Sequence, residues 1–482
     1  MEDEIRIGLD FGTHQTKICV QRIPDEGHGI PEYEFFQFSD QKGKELFFIP
    51  SVVQINKDDT LSYGYVNPEE EKEGLPMPRL EIIEPVDETR IDEDAHALYS
   101  KYSKDDTIDE EGLEALVNML AKKYVVDKSL FKERVEAASQ KYKEEMEAYN
   151  RERNVFRYFK QATFAEYPWD CKIPSTLLCI WYLAFIIFLL EDKYPDGFAI
   201  NMGVPTDDKS YQEKRELATR IILTAYHLVE EVYQKDLRLF LKEKVSNLMA
   251  KTEMLPFSED EKEINRINVF PEAYASLIGL TSRGKLSEGM SINADIGGGT
   301  TDISFFIVKD RIPKIYKYWS ISRGLNYLAE MSGFDYSEKD FLKNVHQEFI
   351  DKFNRKKLEI IFNLETKLVE LVRKSGILRS NLFKALKDRI VVYNGGGSTY
   401  EELSTPISRF TDVKVADADL WAEEIVKDKK KVAKYFNLLT TAYGLSVSET
   451  DSDVVLCDFD KLLASNYNDR KNESYEIDKD VC

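Results

Sequence analysis

The stretch Ser291–Ile307, SINADIGGGTTDISFFI, decides how the chain folds. Ile292, Ala294 and Ile296 alternate with polar residues, and Ile303, Phe305 and Ile307 alternate beyond the turn. That spacing predicts two strands joined by a tight loop. Gly297, Gly298 and Gly299 carry no Cβ, so their amides can turn inward onto an anion. Asp295 stands at the mouth of the loop, and Thr300, Thr301 and Asp302 close it. A carboxylate beside a phosphate-cradling loop suits a hydrated Mg²⁺ ion. A plain hairpin with a flexible loop has the same apolar pattern. Against that reading stands a second copy, Ile5–Val20, IRIGLDFGTHQTKICV, which reaches Asp10, turns at Gly12-Thr13 and resumes at Lys17. Laid over the later copy, Asp10 matches Asp295 and Thr13 matches Thr300. Two phosphate hairpins of one design predict a duplicated fold with a nucleotide between its halves.

The bulk properties narrow the class. The 482 residues are 43% hydrophobic and 32% charged, enough for two to four domains or one large two-lobed body. A net charge of −21 argues against nucleic-acid binding. Cys19, Cys171, Cys179, Cys457 and Cys482 are scattered and odd in number. With no CxxC spacing, they point to a reducing cytoplasm rather than a disulfide scaffold or zinc site. The acidic start, MEDEIRIGLD, has no signal-peptide pattern, so a cytoplasmic location is expected. The apolar run Leu177–Leu190 is shorter than the roughly 20 residues a bilayer span needs. It predicts a buried helix beginning at Pro174-Ser175, and no membrane role.

Around the hairpins the chain reads in segments. Phe47–Tyr65 predicts two strands joined at Lys57-Asp58-Asp59. A charged insertion over 67–153 follows, acidic at first, then with helical spacing through Leu113, Leu116, Leu120 and Tyr142. It is either a solvated arm or a docking surface for a partner or client protein. Gly203-Val204-Pro205 ends a core strand, Glu213–Met249 reads as helical, and Ala273, Ala275 and Gly279 predict a closely packed helix. Gly279–Leu286, GLTSRGKL, looks like a P-loop, but Leu286 stands where a Mg²⁺-binding hydroxyl belongs, so it reads as a surface turn. A third glycine turn, Asn394–Thr399, precedes an expected helix. Val432–Leu445 predicts another closely packed helix, and beyond Ser448 the chain turns acidic and polar.

In this order the motifs resemble the actin-like ATPase superfamily, most closely the nucleotide-binding domain of DnaK-type heat-shock (Hsp70-like) chaperones. The first phosphate loop corresponds to Asp10–His14 and the second, DxGGGTxD, to Asp295–Asp302. Phe270–Ser276 resembles the first connecting helix, Gly395–Ser398 the adenosine loop, and Ala442–Leu445 the second connecting helix. The resemblance implies an α/β, two-lobed fold of duplicated ribonuclease H-like mixed sheets flanked by helices, with helical insertions. It implies a first lobe over 1–205, a second over 206–430, a connecting helix over 431–450 and an acidic tail over 451–482. It also implies ATP or ADP and Mg²⁺ as ligands. Asp10 and Asp295 would hold the Mg²⁺ waters. Gly12, Thr13, His14, Gly297, Gly298, Gly299, Thr300 and Thr301 would hold phosphates. Glu272 would help position the attacking water, and Lys160 is the candidate for the lysine at the terminal phosphate. Gly396, Gly397 and Ser398, with Glu370, Arg373 and Lys374, would enclose the nucleoside. His14 replaces a small hydroxyl residue of the family.

The chemistry these residues suit is phosphoryl transfer to water. The expected function is an Hsp70-like, chaperone-related ATPase that opens and closes with its nucleotide. An actin-like filament protein, a weakly hydrolysing ATP-binding regulator and a small-molecule kinase share the motifs, and fold analogy does not separate them.

Overall fold

Strand β1 (Glu4–Phe11) and strand β2 (Gln15–Ile23) form the first hairpin in the computed structural model, antiparallel with Asp10 opposite Lys17. Strand β3 (Glu32–Phe35) extends it on one side. On the other side β4 (Ala199–Val204) and β5 (Ile267–Pro271) pair in parallel, giving the order β3-β2-β1-β4-β5. The second hairpin is β6 (Gly289–Ile296) and β7 (Thr301–Lys309), with Asp295 opposite Asp302. It is flanked by β8 (Ile312–Ile321), antiparallel, and by β9 (Val391–Asn394) and β10 (Val413–Val415), parallel. The second sheet thus runs β8-β7-β6-β9-β10, the same order and the same strand senses as the first. The protein is a mixed α/β structure with one sheet topology used twice.

The structure describes residues 4–24, 30–39, 42–71, 114, 128–165, 167, 169–205, 211–258, 260–282, 284, 286, 289–321, 324–332, 341–375, 391–403, 413–415, 426–451, 454 and 456–457. The chain divides into two units, one of residues 1–73, 153–167 and 171–482, the other of 74–152 and 168–170. In the smaller unit the helix Lys128–Glu152 presents Glu133, Arg134 and Lys141 to solvent. The expected start of the insertion at 67 shifts, because Asn67 is tied to the larger unit. Its N–H donates to Gln54 Oε1 at 2.7 Å, and its carbonyl accepts from Gln54 Nε2 at 3.0 Å.

Helix α1 (Phe159–Phe164) and helix α2 (Ser175–Lys193) cover one face of the first sheet. Phe11 stacks on Tyr182 with centroids 5.7 Å apart, and Phe159 packs on both. The apolar run therefore lies in a 19-residue helix, long enough to cross a membrane although the run alone is too short. Burial decides its role: Trp181, Tyr182, Leu183 and Ala184 are fully enclosed by protein. Helix α3 (Tyr211–His227) packs against α2 and β5, so the first sheet does not end at 205. A parallel β4–β5 pair needs a long crossover, and residues 211–264 supply it. The expected continuous helix to Met249 is broken into Tyr211–His227, Leu237–Leu241 and Val245–Glu253.

Between the two sheets lie α4 (Glu272–Thr281) and α7 (Phe436–Val447). A Cβ on Gly444 would sit 1.7 Å from the Ala275 carbonyl, and one on Gly8 2.2 Å from the Ala442 carbonyl. Small residues thus let α4 and α7 touch backbone to backbone and let α7 lie directly on β1. On the outer face of the second sheet, α5 (Leu325–Ser332) and α6 (Gln347–Ser375) enclose Ile292, Ala294, Ile296, Ile303 and Phe305. The polar stretch after Ser448 is partly built into the fold. Asp451 is half-buried and pairs with Arg215, at 2.9 Å, and Lys262. Cys457 donates its N–H to the Ile315 carbonyl on β8. Residues 458–482 lie outside the described residues. The turn after α4 reaches the surface at Gly284, as expected, while Leu286 beyond it is buried.

Candidate functional site

The two hairpin turns face one cleft of about 300 Å³, and the chemistry follows from what each turn leaves unused. In the second turn the Gly297 N–H donates to the Thr300 carbonyl at 2.9 Å. The Gly297 carbonyl accepts from Leu325 N at 3.1 Å and the Gly298 carbonyl from Asn326 N at 2.9 Å. A peptide N–H points opposite to the carbonyl of the same unit. With those carbonyls drawn to the start of α5, the amides of Gly298 and Gly299 face the other way and are left for an anion. Gly324 makes this possible, since a Cβ there would lie 2.4 Å from the Gly298 carbonyl. The expectation that Gly12 and Gly297 offer their amides is corrected. Gly12 N–H is spent on the Asp10 carbonyl at 3.1 Å, and Gly297 N–H on its own turn.

Asp10, Gly12, Thr13, His14, Gly297, Gly298, Gly299 and Thr300 all line the cleft, as do Lys160, Glu272 and Asp295. In sequence, the insertion separates Lys160 from the hairpins and hides its relation to them. Tyr158 adopts a left-handed φ of 63° and starts α1, and Phe159 is buried against Phe11. Lys160, the next residue, enters the cleft. Its Nζ lies 2.5 Å from Glu272 Oε1 and 5.6 Å over the Phe11 ring. Glu272 opens α4 beside Gly203, where a Cβ would come within 2.9 Å of Glu272 Cγ. His14 packs against Gly298 and meets Tyr158 edge-on, with centroids 4.9 Å apart.

The nucleoside end differs from expectation. Gly396 lines the cleft with Gly395, Thr399 and Tyr400. Gly397 and Ser398 do not: Gly397 packs on Ile296, and Ser398 Oγ donates to the Gly395 carbonyl at 2.7 Å. The segment after Gly395 is a pair of 3₁₀ turns, Gly396–Thr399 and Glu401–Leu403, rather than an α-helix. Thr301 is buried as the first residue of β7 and is not a cleft residue. Glu370, Arg373 and Lys374 fall in the last turns of α6, and their side chains lie outside the described residues.

Sequence reading did not assign Lys17, Gln161 or Asp302 to the cleft. Lys17 and Asp302 were legible as the cross-strand partners of Asp10 and Asp295, had the register been drawn. Gln161 had no such signal. Lys17 Nζ pairs with Asp10 Oδ2 at 2.9 Å. Burial, then Asp302, Asp10 and Glu272, push the Asp295 carboxyl up to about 8, against the pull of Lys17. Burial and Glu272 raise Asp302 to about 6, against hydrogen bonds from Ser320 and Thr300 and the charge of Lys160. Four carboxyl groups share the cleft with two lysines, and their mutual repulsion favours either a proton on Asp295 or a further cation. A hydrated divalent ion beside Asp10 and Asp295 fits that excess.

Compared with known protein families and with curated proteins, the chain matches none.

Proposed function

We propose that this chain is a Mg²⁺-dependent ATP-binding protein of actin-like, two-lobed architecture, resembling Hsp70-type nucleotide-binding domains and hydrolysing ATP. One observation carries the reading. Two sheets that share one strand order present their Asp-containing hairpin turns to a single cleft, and a third glycine turn lines it beside Asp295. In this reading the Gly298 and Gly299 amides and the Thr13 hydroxyl bind the β- and γ-phosphates. Asp10 and Asp295 would hold Mg²⁺, which would supply positive charge against the phosphates. Lys160 moves from Glu272 towards the terminal phosphate, which frees the Glu272 carboxylate to orient a water for in-line attack. Gly396, Thr399 and Tyr400 take the nucleoside. Isothermal titration with ATP and Mg²⁺ tests the proposal. A one-to-one heat of binding that disappears with EDTA is expected; no binding at millimolar ATP overturns it.

The Lys160–Glu272 contact favours a second reading, a regulator that binds ATP and hardly hydrolyses it, because the general base is engaged. Turnover separates the two. Glu272→Ala is expected to lower single-turnover hydrolysis by roughly 10²-fold, and an unchanged rate selects the regulator.

A further inference from the structure

Gln161, which lines the cleft, and Asn326 are buried on α1 and α5 and meet side chain to side chain. Their orientations are fixed by an unbroken chain of donors and acceptors. Tyr327 N–H donates to Asn326 Oδ1 at 2.9 Å, which sets the Asn326 amide. Asn326 Nδ2 therefore donates, and Gln161 Oε1 accepts at 2.9 Å. That leaves Gln161 Nε2 facing the Gly299 carbonyl at 3.5 Å. Asn326 N–H meanwhile holds the Gly298 carbonyl at 2.9 Å. The second phosphate turn thus meets the Asn326 backbone N–H directly and the Gln161 carboxamide through a long contact, with the Asn326 side chain orienting Gln161, and Gln161 is the neighbour of Lys160 on α1.

We propose that Gln161 and Asn326 form a latch that sets the spacing between Lys160 and the Gly297–Gly299 turn. They act as positioning residues for phosphoryl transfer. The inference rests on the nucleotide reading above. Two arguments support it. Burying two carboxamides costs desolvation that their mutual hydrogen bonds only about offset, so an apolar pair would serve stability as well. What the polar pair adds is direction, because only one arrangement of donors and acceptors satisfies it. It also links the Lys160 helix to the turn whose amides face the cleft.

The test compares the full chain with Gln161→Met, Asn326→Leu, the double variant, and a swap of Gln161→Asn with Asn326→Gln that keeps the combined reach. Single-turnover ATP hydrolysis is expected to fall roughly 10- to 100-fold in each single variant, the size of loss a displacement near 1 Å produces. ATP affinity and Tm are expected to change little. The double variant should be no slower than the worse single, and the swap should recover rate lost by Gln161→Asn alone. Unchanged single-variant rates, additive losses, or slowing that follows Tm without rescue would each overturn the latch. Hydrogen exchange of the Gly297, Leu325 and Asn326 amides, which are bonded within or onto the turn, tests the latch in nucleotide-free protein independently of turnover. Faster exchange in Gln161→Met at unchanged Tm supports the latch, and unaltered exchange sinks it. If the parent chain takes no ATP, the nucleotide reading fails while the exchange result still judges the latch.

Discussion

Two buried lysines of this chain show how a partner decides the state of a charge. Lys160 is enclosed but faces Glu272, so charge meets charge. Lys357 on α6 is equally enclosed, with its Nζ on the Leu403 carbonyl and 4.9 Å over the Tyr393 ring. It has no carboxylate partner among its described contacts, and burial alone pushes its pKa down to about 7. In the unfolded chain a lysine titrates near 10.4. Between those values the unfolded state binds the extra proton, so this residue makes stability rise with pH across the window. Below pH 7 both states are protonated and the penalty is constant and largest. Lys357→Met removes it. The variant's advantage over the parent in denaturant titrations should shrink by roughly 2–4 kcal/mol from pH 6 to pH 10, at about 1.4 kcal/mol per pKa unit. A pH-independent difference would refute this.

At the scale of elements, the contact between α4 and α7 holds the two sheets in register with each other. Gly444 abuts the Ala275 carbonyl and Gly279 abuts the Tyr443 ring, so neither position has room for a methyl group. Gly444→Ala should destabilise the protein by about 1–3 kcal/mol through forced separation of the helices, despite the better helix propensity of alanine. Equilibrium unfolding in urea measures it. Because α4 begins with Glu272, the same substitution should also slow hydrolysis. The spacing of small residues made this contact legible in sequence, since Ala273, Ala275, Gly279, Ala442 and Gly444 have no other common use. The glycine turn at 394–399 was less legible. A glycine turn after a strand suggests a helix as readily as the two 3₁₀ turns found, and Gly397 faces Ile296 only because β6 and β9 pair in parallel.

For the whole molecule, the crowding of Asp10, Glu272, Asp295 and Asp302 between the sheets sets a conflict between stability and function. Asp295→Asn should raise the Tm of nucleotide-free protein, since burial and neighbouring carboxylates disfavour the charge that asparagine lacks. If the proposed site takes ATP with Mg²⁺, the parent should gain about 2.7 kcal/mol of stability at a hundredfold excess over Kd, and the same variant should lose that gain. Differential scanning with ATP, with and without EDTA, reads both effects. A parent without a Mg²⁺-dependent shift, or a variant that keeps it, contradicts the assignment.

By itself the sequence determined what is local. The period-two alternation around Asp10 and Asp295 set both hairpins, glycine spacing set the turns, and the apolar run 177–190 set a buried helix. Those features depend on neighbours within a few residues, where backbone sterics and side-chain periodicity act. Tertiary structure decided everything that joins distant segments. It carried the first sheet past residue 205 to Ile267–Pro271 and anchored Asp451 beside Arg215 and Lys262. It also brought Lys160 to Glu272 and Gln161 to Asn326. None of these pairs has a fixed spacing in the chain, because loop length costs little once the sheets have formed. The hairpin at Ser291–Ile307 announced an anion cradle; only packing against α1 and α5 settled which of its amides face the cleft.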